Sequence, residues 1–263
     1  MTDDSTPNSR RRFLQLSGLT LGGLALGGGA TAVAAQTNGN GNGNGTRGTA
    51  RYRVTVANLT GGQPLTPPAV AIHTPRTGLF SVGEPASDVV QGLAENGAVP
   101  PLVAALEADR NVSASGLVGD TPLVPSADPG ATGLPYTASA EFSANRSAKY
   151  LSVASMLIAT NDGFAGLDTV RLPDAVGESA SHYATAFDAG TEENTEDFAD
   201  LVPPAQFLMG VDGGEDGTGE TNPDLAEGGV VMPHAGIAGT GDLDPAVYGW
   251  RDPVALVHVE RLA

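Results

Sequence analysis

Cysteine is absent from the 263 residues. That excludes disulfides, thiol catalysis, thiolate metal sites and the lipid-accepting cysteine of a lipoprotein. Lysine occurs once, at Lys149, and Lys and Arg together number 13 against 30 Asp and Glu, giving a formal net charge of -17. So acidic a surface repels nucleic acid and anionic membrane, both of which need positive charge in a partner. The near-absence of lysine beside abundant Asp, Glu, Ala and Gly suggests adaptation to high salt, where screening makes charge interactions short-ranged. Much of the acidity then belongs to the surface as a whole and marks no site. Aromatics are few (one Trp, five Tyr), which argues against a sugar-stacking cleft. The signatures of common catalysts are missing too: no Gly-x-Ser-x-Gly elbow, no His-Glu-x-x-His and no phosphate-cradling Gly-x-x-x-x-Gly-Lys. Ser179, Ser181 and His182 are neighbours in sequence, but a triad is assembled by folding and this cluster carries no signature.

What is present begins with an export signal. Ser9-Arg-Arg-Arg-Phe-Leu14 matches the twin-arginine pattern, and Leu16 to Ala30 forms a Gly-diluted apolar region too short for a stable membrane span. Small residues at Ala32-Val33-Ala34 and Val33-Ala34-Ala35 supply cleavage sites, so residues 1–35 are expected to be removed. Their loss takes away three arginines and two aspartates, moving the charge from -17 to -18. Residues 36–50 contain the repeat Asn38-Gly-Asn-Gly-Asn-Gly-Asn-Gly45, which lacks the apolar surface needed to offset ordering entropy and reads as a flexible tether. The remaining residues, 51–263, read as one domain.

Along that domain, Tyr52, Val54 and Val56 alternate with Arg53, Thr55 and Ala57, as in a strand with one buried face. Prolines between Gly61 and Pro68 bar helix, and Ala69 to His73 reads as a second strand in which His73 is packed or at the surface. Ser87 or Asp88 is placed to cap a helix that Gly97 ends, and Pro100-Pro101 opens another through Ala108. Residues 111–135, dense in Gly and Pro, read as loop, and Tyr136 to Ala144 as a strand. Asp242 and Asp244 before Pro245 signal a helix start, and Trp250 is expected at the core edge. Ala255 to Leu262 forms a closing strand with Val257 and Val259 on one face and Leu256 and His258 on the other. Asn58, Asn111 and Asn145 each begin an N-glycosylation triplet.

The chain is organised around Lys149 to Glu196. Leu151 to Ile158 has the length and residue types of a buried strand, and Thr160-Asn161-Asp162-Gly163 makes a polar turn at its end. A second strand-like piece, Phe164 to Leu172, leads on to Phe187-Asp188-Ala189-Gly190-Thr191-Glu192-Glu193-Asn194. Two acidic loops flanking short strands can cage a hard cation, since calcium takes six to eight oxygens from carboxylates, amides, carbonyls and water. Equally, Asp, Asn and Gly make turns with no ion at all. Asp162, Asp188 and Glu192 are the foremost candidate ligands, and Asn161 and Asp168 follow. On a regular strand Asp168 would lie roughly 20 Å from Asp162, too far to share one ion. The acidic, Gly-rich stretch 210–224 lacks the spacing of an EF-hand and reads as a mobile loop.

The run Met156 to Asp168 with Asn161-Asp162-Gly163-Phe164-Ala165-Gly166, followed by Tyr183 and Phe187-Asp-Ala-Gly-Thr-Glu192, resembles the spondin N-terminal domain family. The likeness extends to Tyr52–Val56, Leu79–Ser87, Gly92–Gly97 and Val254–Leu262, over roughly 51–262. It implies an all-β fold: a C2-like antiparallel β-sandwich with one or two short helices inserted after the first strands, and one calcium ion near the loops at one end. It also makes Glu141 a further calcium candidate, because the matching family strand carries a glutamate. Animal members contain cysteines that this chain lacks. The function implied is that of an exported calcium-binding adhesion module, secreted or at the cell surface, with no catalysis. Its partners would be surface or extracellular macromolecules such as glycoproteins. Alternatives are an exported hydrolase or carbohydrate-binding protein with a structural calcium, and a subunit of a larger surface assembly. The mature chain is expected neither to bind nucleic acid nor to insert into a membrane.

Overall fold

A computed structural model of the protein describes residues 48–263. The export signal read in 1–35 and most of the Asn-Gly tether lie outside the described residues. The order of elements is β1 (Thr49–Asn58), β2 (Ala69–His73), α1 (Asp88–Asn96), α2 (Val99–Ala108), β3 (Val112–Leu117), β4 (Thr137–Asn145), β5 (Tyr150–Met156), β6 (Gly163–Arg171), β7 (Ser179–Asp188), α3 (Pro204–Met209), β8 (Met232–Pro233), α4 (Pro245–Tyr248) and β9 (Ala255–Arg261).

Antiparallel pairing joins the strands in the order β3-β2-β5-β6-β7-β9-β1-β4, with β8 added beside β7. β7 makes this one sheet instead of two. Its first part, Ser179 to Ala184, pairs with β9, and its last part, Thr185 to Asp188, pairs with β6. The sheet folds over at β7, and the far strands meet where the Asn145 amide donates to Ser113 Oγ at 2.8 Å. The result is an almost closed antiparallel sandwich, as the resemblance implied.

Alternation explains its filling. Tyr52, Val54 and Val56 of β1 point inward with Val257 and Val259 of β9, meeting Val70, Ile72, Leu151 and Val153 from β2 and β5. A buried Leu-sized side chain contributes about 1.5–3 kcal/mol relative to exposure, so this layer dominates stability. Trp250 packs against its margin. On the opposite face of β2 and β5, Ala69, Ala71 and Ala154 give room for helices. There Val90 and Leu93 of α1 and Leu102 and Leu106 of α2 seat themselves with Phe164. Both helices were expected, as was Gly97 in its left-handed stop position (φ 63°). Pro245 begins α4, with the Asp244 side chain accepting from the Ala246 amide.

Three segments differ from the sequence reading. β3 is a strand within the stretch read as loop, and its small residues suit an edge against β2. The 210–224 stretch is tethered: Gln206 Oε1 accepts from the Gly213 amide, and the Asn222 amide reaches Glu192. Asn58 is buried, its Nδ2 donating to the Gln63 and Leu123 carbonyls, so the folded domain offers no glycan acceptor there. Among the described residues, no helix is long and apolar enough to cross a membrane.

Candidate functional site

Asp162 sits in the β5–β6 turn, fully buried. Its backbone carbonyl accepts from the Ala189 amide at 3.2 Å, and Gly163 pairs with Asp188, so the turn and the end of β7 are zipped together. Asp162 Oδ2 accepts from the Thr191 amide (2.7 Å), the Thr191 hydroxyl (3.1 Å) and the Glu192 amide (3.1 Å). Asp162 Oδ1, equally buried, has no hydrogen-bond partner. Burial, then the neighbouring Asp188 charge, pushes this carboxyl up to about 6 despite the three donors on its other oxygen.

Asp188 Oδ1 accepts from the Gly190 amide and Oδ2 from Asn194 Nδ2, both at 2.7 Å. The loop needs two glycines for steric reasons. Gly190 has φ 68°, and a Cβ there would lie 2.5 Å from the Val230 amide nitrogen. At Gly163 a Cβ would meet Thr160 Oγ1 at 2.5 Å and the His234 ring at 3.0 Å. His234 thus closes one side of the turn. Its Nδ1 accepts from the Gly236 amide, its Nε2 is enclosed without a partner, and its ring meets Trp250 edge-on at 5.0 Å. Burial lowers its pKa, against the pull of Asp188, Glu196 and Asp252.

Glu192 splits its allegiance. Its amide binds Asp162, but its side chain turns aside, with Oε1 accepting from the Asn222 amide at 2.9 Å. There it lines a cavity of about 270 Å³ with Glu95, Asp200 and Thr221. Burial raises its pKa to about 7; the Asn222 amide opposes this and the Glu95, Asp162 and Asp200 charges add to it.

The other candidates are dispersed. Asn161 is a strut, its Nδ2 donating to Thr195 Oγ1 and its Oδ1 accepting from the Glu196 amide. Asp168 anchors another loop by accepting from the Leu79 amide and the Ser152 hydroxyl. Glu141 is not brought to the site. It faces solvent on β4, paired to Arg53 at 2.9 Å, in one cross-strand row with Glu260 and Ser179. Ser179 begins β7 and Asp188 ends it, so roughly 30 Å of strand separates that row from the turn.

Sequence reading missed Glu196, a buried carboxylate at φ 61°. Burial works to raise its pKa, but the amides of Ala238, Gly239 and Thr240 outweigh it and hold the group below its ordinary value. Those donors lie more than 40 residues away, with no spacing rule to announce them. Among the described residues, no three His, Cys, Asp or Glu side chains stand close enough to hold a metal ion by themselves. Two adjacent carboxylates with one orphaned, buried oxygen do fit a hard cation completed by carbonyls and water.

The family model described as Spondin_N matches residues 66–199, just over half of the 263. The match contains α1, α2, both acidic loops and every candidate ligand named above. No curated protein matches the chain.

Proposed function

The chain belongs to the spondin N-terminal domain family, a family of extracellular, non-enzymatic binding domains, and from that premise we propose that it is an exported, calcium-stabilised adhesion module. The observation that carries the calcium reading is Asp162 Oδ1, buried and unpartnered beside Asp188. An ionised carboxylate in that position is costly unless a positive charge meets it. Asp162 and Asp188 would hold the ion, with backbone carbonyls and water filling its shell. Glu192 would join only by leaving Asn222. A bound calcium supplies fixed positive charge that locks the β5–β6 turn to the end of β7, and an open coordination position would let it bridge to a ligand.

By family character the partners are surface or extracellular macromolecules, glycoproteins among them. The net charge of -17 favours partners other than nucleic acid or anionic membrane. Export through the twin-arginine route, to the cell surface or the medium, follows from Ser9 to Leu14.

The test is calcium titration of the full chain and of Asp162→Asn and Asp188→Asn, followed calorimetrically. One tight site in the parent, weakened at least about tenfold in each variant, is expected. Parent-like binding in both variants would sink the assignment. A hydrolysis screen against glycans and peptides separates the module from an exported hydrolase, because an adhesion domain turns over nothing.

A further inference from the structure

Three Asn-x-Ser/Thr triplets, at Asn58, Asn111 and Asn145, carry the pattern that an N-glycan acceptor needs. The fold accounts for two of them without any glycan. Asn58 is 3% exposed; its Nδ2 donates to the Gln63 and Leu123 carbonyls, and Thr60 Oγ1 donates to its Oδ1 at 2.8 Å. Asn111, partly buried just before β3, ties its Nδ2 to Asp109 Oδ1 at 3.0 Å, and its carbonyl accepts from the Thr74 amide. The hydroxyl of its triplet, Ser113 Oγ, accepts from the Asn145 amide at 2.8 Å. In both triplets the groups that a glycosyl transferase must grip are already held by the protein.

Asn145-Arg146-Ser147 differs at each of these points. Asn145 ends β4, and all three residues are exposed. The Ala148 amide donates to the Asn145 carbonyl at 2.9 Å, closing a β-turn that presents the triplet to solvent. Its backbone is fixed by the Asn145 amide on Ser113, by the Arg146 amide on the Gly48 carbonyl at 3.1 Å, and by the pairing of Asn145 with Thr49 of β1. Among the described residues, neither the Asn145 carboxamide nor the Ser147 hydroxyl makes a hydrogen bond. Asparagine at a turn ordinarily spends its side chain on the local backbone. Here it does not, so the amide nitrogen stands free on a fixed backbone, with the triplet hydroxyl free beside it.

We propose that Asn145 carries an N-linked glycan, added outside the cell membrane by transfer from a lipid-phosphate-linked oligosaccharide. Asn145 Nδ2 bonds to the anomeric carbon of the donor sugar as that carbon's bond to the phosphate oxygen breaks. The electron pair leaves with the lipid phosphate, and one amide proton is released. The modification rests on the proposed export. A chain carried out folded by the twin-arginine route meets the transferase in its native structure, where Asn145 is the reachable acceptor. Strand register also sets the glycan apart from the acidic loops. Thr49 and Asn145 lie beyond the Arg53–Glu141 row, at the end of the sheet opposite Asp188. The place proposed for calcium therefore stays uncovered.

The experiment is intact-mass spectrometry of the full chain produced in its source organism. Cleavage after Glu141 then separates Asn145 from Asn111 and locates the modified residue. A discrete added mass of one oligosaccharide is expected on the peptide that begins at Phe142. Asn145→Gln and Ser147→Ala should each abolish the addition, and Asn111→Gln should retain it, with cooperative melting confirming that every variant folds. Loss of residues 1–35, read from the same masses, reports export separately. A chain that has lost its signal and carries no added mass overturns the glycan and leaves export standing. A chain that keeps its signal and is unmodified overturns both. Added mass at Asn111 instead, or persisting in Asn145→Gln, also overturns the assignment.

Discussion

At the scale of single residues, Asp162 and Glu192 set the pH behaviour. Each is a carboxyl whose folded pKa is raised, to about 6 from 3.8 and to about 7 from 4.5. Between those values the folded state holds more protons than the unfolded one, so stability falls as pH rises through the window. Glu196 runs the other way: its pKa is lowered, and its contribution disappears as pH drops below about 4.5. In chelator, the urea midpoint should therefore peak at about pH 5 and decline toward pH 7.5. A midpoint that climbs over that range would contradict the assignment. Calcium should flatten the decline, because it favours the ionised Asp162. Asp162→Asn removes the buried charge and keeps an acceptor for Thr191 and Glu192, so its apo form should melt no lower than the parent and ignore calcium. A variant that still responds to calcium would place the ion elsewhere.

At the scale of elements, loop shape is enforced by contacts that glycine alone permits. Gly190→Ala must strain a φ of 68° and push against the Val230 backbone. We expect a loss on the order of 3 kcal/mol by urea unfolding, together with loss of the calcium response; parent-like values would show that the loop relaxes freely. Ser152 links three strands: its Oγ lies 2.8 Å from His73 Nε2, donates to Asp168 and receives the Thr169 amide. Ser152→Ala should cost about 1–3 kcal/mol, the range for stranding buried polar partners. Elements with strong alternation, β1 and β9, were legible in the sequence, as were β2, both helices and the Gly97 stop of the first. β3 and β7 were not, because Val112–Leu117 and Ser179–Asp188 bury mostly alanine-sized groups and give little apolar period. The nearness of Asp162 and Asp188 was legible as two acidic loops flanking short strands. Glu141 was drawn in by family likeness, but β4 turns it outward to Arg53. The cavity was beyond reading, since Glu95, Glu192 and Asp200 come from separate elements and meet only in the fold.

At the scale of the molecule, the acidic surface and the lack of cysteine leave stability to packing and to whatever neutralises charge. The described ion pairs, those of Arg51, Arg53, Lys149 and Arg171, lie at the solvent-facing surface, where water and salt screen them and they contribute little. Screening should therefore relieve more repulsion than attraction, so the melting temperature should rise with potassium chloride; a flat or falling profile would remove the case for salt adaptation. Above that background, calcium should act as a specific ligand of the folded state. The most direct measurement is thermal unfolding of the full chain in concentrated potassium chloride, first with chelator and then with increasing calcium, with magnesium as control. At one hundred times the dissociation constant, calcium should add about 2.7 kcal/mol, a rise of roughly 5–10 °C for a domain of this size, and magnesium should add little. No rise with calcium, or an equal rise with magnesium, would contradict a caged calcium ion at Asp162 and Asp188.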